Sequence, residues 1–111
     1  MDENNLKKVG VSDNMENQVL RLAKLAKESA LDGVVASPSE VKSIRKALEK
    51  DFLIITPGVR PLWAATGDQK RVATPREAIK SGASFIVVGR PVIEAKDPAQ
   101  AVRSILKEIK A

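Results

Sequence analysis

One arrangement occurs three times in this sequence and limits what the chain can build. An apolar run leads into a turn, and the turn leads into a helix start with proline in its first turn. The copies are "VVASPSEV", "LIIT" with its later "ATPREAI", and "FIVVGR" with its later "KDPAQAV". Ser37, Thr74 and Asp97 occupy N-cap positions, Pro38, Pro75 and Pro98 occupy N1, and Glu40, Glu77 and Gln100 occupy N3. A short polar N-cap side chain accepts from unpaired first-turn amides, and an N3 carboxylate or amide reaches back to the cap. Proline loses nothing at N1, because that N–H has no partner inside a helix.

The segments after each cap carry a helical period. Val41, Ile44, Ala47 and Leu48 fall on one side of the first, and Ala78 and Ile79 on one side of the second. Gly82 fits the stop of that short second helix. Ala101, Val102, Ile105, Leu106 and Ile109 are expected inside on the last. Ahead of the first copy, residues 16–30 place Val19, Leu22, Ala23, Leu25, Ala26 and Ala30 near helical spacing, with lysines mostly opposite.

The apolar runs, residues 34–36, 52–56 and 84–90, are continuous rather than alternating. Such runs between amphipathic helices predict parallel strands covered by helices, an α/β fold of strand–helix units. An eight-unit barrel of this kind takes about 250 residues, roughly 31 per unit. The 111 residues here therefore supply about three and a half units. The chain is expected to be an open portion of such a structure, or to cover its sheet edges with other chains.

Composition narrows the chemistry. Cysteine and histidine are both absent, which removes disulfides, thiolate metal sites and the commonest general base. No apolar run approaches the roughly 20 residues of a membrane span, and "MDENNLKKVG" does not read as a secretory signal. The net charge of +5 is spread over amphipathic helices, with one Trp and two Phe for stacking. A solvated surface with a local anion site explains it more simply than a nucleic-acid interface.

Carboxyl ends of strands carry the ligand sites of parallel α/β folds. Two stretches stand there, "TPGVR" with its trailing "GDQKR", and "VVGRP". The connection from Thr56 to Thr74 is far longer than the 2–6 residues usual for such loops. Gly58 and Gly89 let backbone amides approach an anion, or simply make tight turns. Arg60 and Arg90 offer fork-shaped donors matched to phosphate, or lie on the surface. Gln69 donates through its amide, whereas Lys70 and Arg71 read as solvated loop charges. Trp63 reads as packing, and Ser37 as a helix cap. Asp68 and Lys70 stand close together, but Ala73 follows where a second carboxylate would complete a relay.

The stretches "LDGVVASPSEV", "LIITPGVRP", "GDQKRVATPREAI" and "FIVVGRPVIEAKDPAQAV" resemble, in order, the C-terminal part of bacterial orotidine 5′-phosphate decarboxylases. The likeness runs through nearly the whole chain. It implies the C-terminal portion of a TIM (β/α)8 barrel, from the fifth helix through the eighth strand–helix unit, over residues 1–111. The opening segment then matches the loop after the fifth strand, with that strand just before Met1. The family converts orotidine 5′-monophosphate to uridine 5′-monophosphate and carbon dioxide. It works in cytoplasmic pyrimidine synthesis, uses no cofactor and is usually a homodimer. By resemblance Arg60, Gln69, Gly89 and Arg90 are substrate-binding residues, Pro57 and Gly58 line the pocket, and the long loop is a lid. The family's catalytic Asp-x-Lys-x-x-Asp set has no counterpart in this sequence, so no catalytic residue is expected in the chain and it is expected to be inactive alone. Two other readings compete: a non-catalytic, self-associating phosphate-binding half-barrel, and a related metal-dependent sugar-phosphate decarboxylase or synthase. Those relatives lack the "GDQKR" loop in this form.

Overall fold

In the computed structural model of the chain, residues 2–64 and 73–110 are described. Three parallel strands form one sheet in the order β1 (Gly33–Val35), β2 (Leu53–Thr56), β3 (Phe85–Ile86). Val34 lies opposite Ile54, and Val35 opposite Ile55, which in turn lies opposite Phe85. Helices α2 (Met15–Glu28), α3 (Pro38–Ala47) and α4 (Pro75–Ser81) pack on β1, β2 and β3 respectively. They also pack on one another in sequence, and α6 (Pro98–Lys110) follows beside α4.

This register sorts the side chains. Val34, Ile54, Thr56 and Ile86 share the face toward the helices, where Ile54 meets the fully buried Val41 and Ile44 of α3 in the core cluster. Val35, Leu53, Ile55 and Phe85 share the other face. There Val35 is 69% exposed, Phe85 57% and Leu53 38%. One sheet layer and one helix layer make a slab whose smallest extent is 19 Å. Its radius of gyration, 15.6 Å, exceeds the about 13 Å of a compact domain this long.

The capped helix starts all form, though not all in the expected way. Thr74 accepts from the Glu77 amide at 3.2 Å and the Glu77 carboxylate accepts from the Thr74 amide at 3.3 Å, a complete capping box. Asp97 accepts from the Gln100 amide at 3.1 Å, but the Gln100 side-chain oxygen turns away to accept from Arg103. Ser37 stands at the N-cap of α3 without a side-chain cap bond. The Glu40 amide bonds instead to the Ser37 carbonyl at 3.0 Å, which leaves the hydroxyl free for other use.

Other expectations need correction. The third strand spans two residues rather than seven, with one further ladder bond from the Val87 amide to the Thr56 carbonyl at 2.9 Å. The backbone then turns at Gly89 into α5 (Arg90–Ile93), which draws residues 88–90 out of the ladder. Val102 and Leu106 of α6 are exposed rather than inside, because α4 and α5 cover only one flank of that helix. Leu22 and Leu25 of α2 are exposed at the opposite end of the layer for the same reason, and Ala47 is exposed at the end of α3. The opening residues contain a helix, α1 (Glu3–Lys8), where a loop was expected. Asp2 caps it by accepting from the Asn5 amide at 2.8 Å, and Leu6 anchors it as its buried residue.

Candidate functional site

The carboxyl ends of β2 and β3 are held level by the Val87-to-Thr56 bond. Beyond it, Pro57 and Gly58 leave β2 while Val88 and Gly89 leave β3. Gly58 has φ +73°, a left-handed conformation that costs an L-residue about 1 kcal/mol or more. That turn swings the chain so that Val59, almost wholly buried, pairs in parallel with Ala73. The Arg60 amide donates to the Ala73 carbonyl at 2.9 Å. The two ends of the long connection are thus clamped side by side, just ahead of the Thr74 capping box.

Arg60 is half-buried, and its Nη1 donates to the Ala64 carbonyl at 3.0 Å. This bond holds the short 3-10 turn Leu62–Ala64 and fixes the guanidinium at the base of the loop. A guanidinium carries five N–H donors, and among the described residues the bond to Ala64 is the one its side chain makes. Gln69, with Asp68, Lys70 and Arg71, lies outside the described residues. Trp63 is half-exposed and borders a groove of about 590 Å³ whose other wall includes Ala101, Ser104 and Lys107 of α6.

On the β3 side, Gly89 and Arg90 are both exposed. A Cβ placed on Gly89 would meet no heavy atom of the described residues within 4 Å, so their packing does not demand glycine there. Neither the Gly89 nor the Arg90 amide donates to another backbone group among the described residues. Unpaired amides next to open space and a guanidinium are the elements of an anion cradle. Gly58 is likewise open, with no atom of the described residues within 4 Å of the place a Cβ would take, so its need for glycine is conformational.

The structure therefore brings Pro57, Gly58, Arg60, Gly89 and Arg90 to one end of the sheet through the β2–β3 ladder. It adds Ser37 and Ser39, whose exposed hydroxyls lie 3.0 Å apart beyond the end of β1. The Ala36 amide, bonded to the Ile55 carbonyl at 3.0 Å, keeps that end level with β2. Reading Ser37 as a cap in preference to a ligand contact missed this pair. The signal lay in "SPS", where the second serine offers the Ser37 hydroxyl a competing partner. Among the described residues no helix is long and apolar enough to cross a membrane.

Parallel strand–helix units with glycine–arginine loops at the carboxyl rim define part of a (β/α)8-barrel, or TIM-barrel, protein. Residues 1–105 match the orotidine 5′-phosphate decarboxylase / HUMPS family, and the chain belongs to it, as the C-terminal part. It is 57% identical over 98% of its length to the orotidine 5′-phosphate decarboxylase of Trichlorobacter lovleyi, and 53% identical over 98% to that of Geobacter sulfurreducens. It spans 45% and 46% of those two proteins. The crystal structure of orotidine 5′-phosphate decarboxylase from Lactobacillus acidophilus superposes on the whole chain with a TM-score of 0.83 at 42% identity, over 45% of its own length. That from Pyrococcus horikoshii OT3 superposes on 92% of the chain with a TM-score of 0.68 at 28% identity, over 46% of its length.

Proposed function

We propose that this chain carries the phosphate-gripping part of an orotidine 5′-monophosphate decarboxylase site, from the fifth helix through the eighth strand–helix unit of the barrel. The observation that carries the reading is the alignment of the Gly58–Arg60 turn with Gly89–Arg90 across the β2–β3 ladder. Gly89 and Arg90 would receive phosphate oxygens on their amides, and the Arg90 side chain would neutralise charge. Arg60 would approach from the loop base, Gln69 would close from the loop itself, and Pro57 and Gly58 would line the pocket.

In this reading the phosphate is a handle. Binding energy from a non-reacting group holds the pyrimidine where other residues act on it, and a closing loop keeps water away. The chain contributes no catalytic Lys–Asp set, so carbon dioxide loss needs groups from the rest of a complete barrel. The reaction places the protein in cytoplasmic pyrimidine nucleotide synthesis without a cofactor, its substrate and product being orotidine and uridine 5′-monophosphates.

Calorimetric titration with uridine 5′-monophosphate tests the reading. Binding is expected in the unmodified chain, with affinity reduced at least about tenfold in Arg90→Ala, in keeping with loss of a charge-assisted hydrogen bond. Equal affinity in the two proteins, with unchanged circular dichroism, would rule the phosphate site out. Loss of orotidine 5′-monophosphate absorbance on incubation with the chain alone would overturn the claim that its catalytic groups lie elsewhere.

A further inference from the structure

We propose that the Leu62–Ala64 turn is a positioning element for Arg60: the Ala64 carbonyl orients the guanidinium before a phosphate arrives, and phosphate binding steadies the turn in return. The inference rests on the phosphate reading and adds to it a group that touches no ligand.

The main chain at Arg60 is fixed from both sides. Its amide donates to the Ala73 carbonyl at 2.9 Å, beside the Val59–Ala73 pairing. Pro61 follows, fully buried, and a residue ahead of proline is confined to extended backbone. The long arginine side chain would still sample many rotamers, and ordering it carries an entropy cost. The 3.0 Å bond from Nη1 to the Ala64 carbonyl removes much of that freedom within the fold itself. The Ala64 amide in turn donates to the Pro61 carbonyl at 3.0 Å, which holds the acceptor in place. The stretch "RPLWA" thus bonds its last residue back to its first two.

The chemistry of the fork decides what this achieves. A guanidinium is planar with donors in fixed directions, so holding Nη1 restricts where the others point. A carboxylate in the same place would hold the fork and cancel its charge. A backbone carbonyl holds it and leaves the charge for a ligand, whose phosphate oxygens accept stronger, charge-assisted bonds. A donor ordered beforehand binds more tightly than a free one. Linkage makes the effect reciprocal, so a bound phosphate stabilises the turn that orients Arg60. Trp63 is placed to report this: it is the sole tryptophan, stands in the middle of the turn and is half-exposed.

The test is a double-variant cycle read by calorimetric titration with uridine 5′-monophosphate. Ala64→Pro removes the amide that donates to Pro61 and disfavours the turned backbone at Trp63, while leaving Arg60 and Arg90 in the chain. It should weaken binding about three- to tenfold, the worth of one ordinary hydrogen bond. In an Arg60→Met background, itself weaker, the same substitution should cost nothing further, because the turn acts only through the guanidinium. Equal losses in the two backgrounds would overturn the proposal, since a turn that merely supports the fold costs the same with or without the arginine. If Ala64→Pro does not fold, Ala64→Gly loosens the turn instead and the same comparison applies. Trp63 fluorescence gives a second readout. Saturating uridine 5′-monophosphate should reduce acrylamide quenching of Trp63 in the unmodified chain but not in Arg60→Met, and an equal response in both would also overturn the proposal. The two readings fail differently. Binding that Arg90→Ala weakens, with additive losses in the cycle, upholds the phosphate site and overturns the positioning role. No binding by the unmodified chain overturns the phosphate site and the positioning role with it.

Discussion

The Nε of Arg45 donates to the Gly82 carbonyl at 3.0 Å, tying the last turn of α3 to the end of α4. The same guanidinium shares its Nη1 among the carbonyls of Glu49, Lys50 and Phe52, at 2.9, 3.2 and 2.7 Å. Its Nη2 donates to the Ser84 hydroxyl at 3.1 Å, and that hydroxyl accepts from the Ile54 amide at 3.1 Å. One side chain therefore closes the amino end of the sheet, opposite the candidate site. Position at this end of a barrel speaks for stability rather than chemistry.

Gly82 is the sensitive half of that pair. Its φ is +116°, and a Cβ there would lie 2.7 Å from the Arg45 Cγ. Gly82→Ala should lower stability by about 1–3 kcal/mol through backbone strain and displacement of the guanidinium. Arg45→Met should cost a similar amount by leaving part-buried carbonyls unpaired. Urea denaturation of both variants checks this, and a double variant should cost less than the sum because the residues touch.

Gly33 answers to a different constraint. A Cβ on it would sit 2.3 Å from the Leu53 carbonyl oxygen, a backbone atom that cannot move aside without breaking the β1–β2 pairing. Gly33→Ala should therefore destabilise the sheet more than Gly89→Ala, whose added methyl meets nothing. Thermal melts of the two variants should separate clearly. Gly89→Ala is expected to keep its Tm yet weaken uridine 5′-monophosphate binding.

Thr56 is fully buried on the helix-facing side of β2, and its hydroxyl has no hydrogen-bond partner among the described residues. An unpaired buried hydroxyl costs about 1–3 kcal/mol. Thr56→Val keeps the shape and β-branching while removing that group. It should raise stability by up to about 1 kcal/mol, an uncommon sign for a core substitution. Thr74→Ala should go the other way by about 0.5–2 kcal/mol, because it opens the capping box of α4. A rise in urea midpoint for the second variant would contradict its assigned role.

Asp13 gives a pH dependence with a definite sign. Hydrogen bonds from the Asn17 side chain and the Asn14 amide, with the Arg21 guanidinium at 2.7 Å, hold its carboxyl below its ordinary value. A depressed folded-state value contributes stability above the unfolded value that is lost as pH falls through the folded one. Denaturation midpoints in the acid range should therefore decline less steeply for Asp13→Asn than for the unmodified chain. Parallel curves would show that the carboxylate is not coupled to folding. The group is partly exposed and its Arg21 partner is exposed, so salt should weaken the effect.

How much was legible in the sequence depended on the range of the interaction involved. The strand–helix order, the caps at Thr74 and Asp97, and the left-handed stop at Gly82 were all readable, because each rests on residues within a few positions of one another. Helical period also located Val41 and Ile44 correctly as core. The same period placed Val102, Leu106, Leu22 and Leu25 inside, where the structure leaves them exposed. Periodicity identifies an apolar stripe but not whether a neighbour covers all of it. The glycines at 58 and 89 looked alike in sequence; only the backbone shows that one is held by its left-handed φ and the other by nothing in the packing of the described residues.

The amino-acid sequence by itself determined the units: which runs extend, where each helix begins, and which residues follow each strand. Those outcomes follow from local propensity, capping and hydrophobic spacing. Tertiary structure decided what the units do together. Strand register brought the Gly58–Arg60 turn level with Gly89–Arg90, and the Arg45 network locked the opposite end. Register also left Val35, Phe85 and Val87 on an uncovered face. Register and coverage arise from contacts between residues distant in the chain, and no short stretch of sequence encodes them.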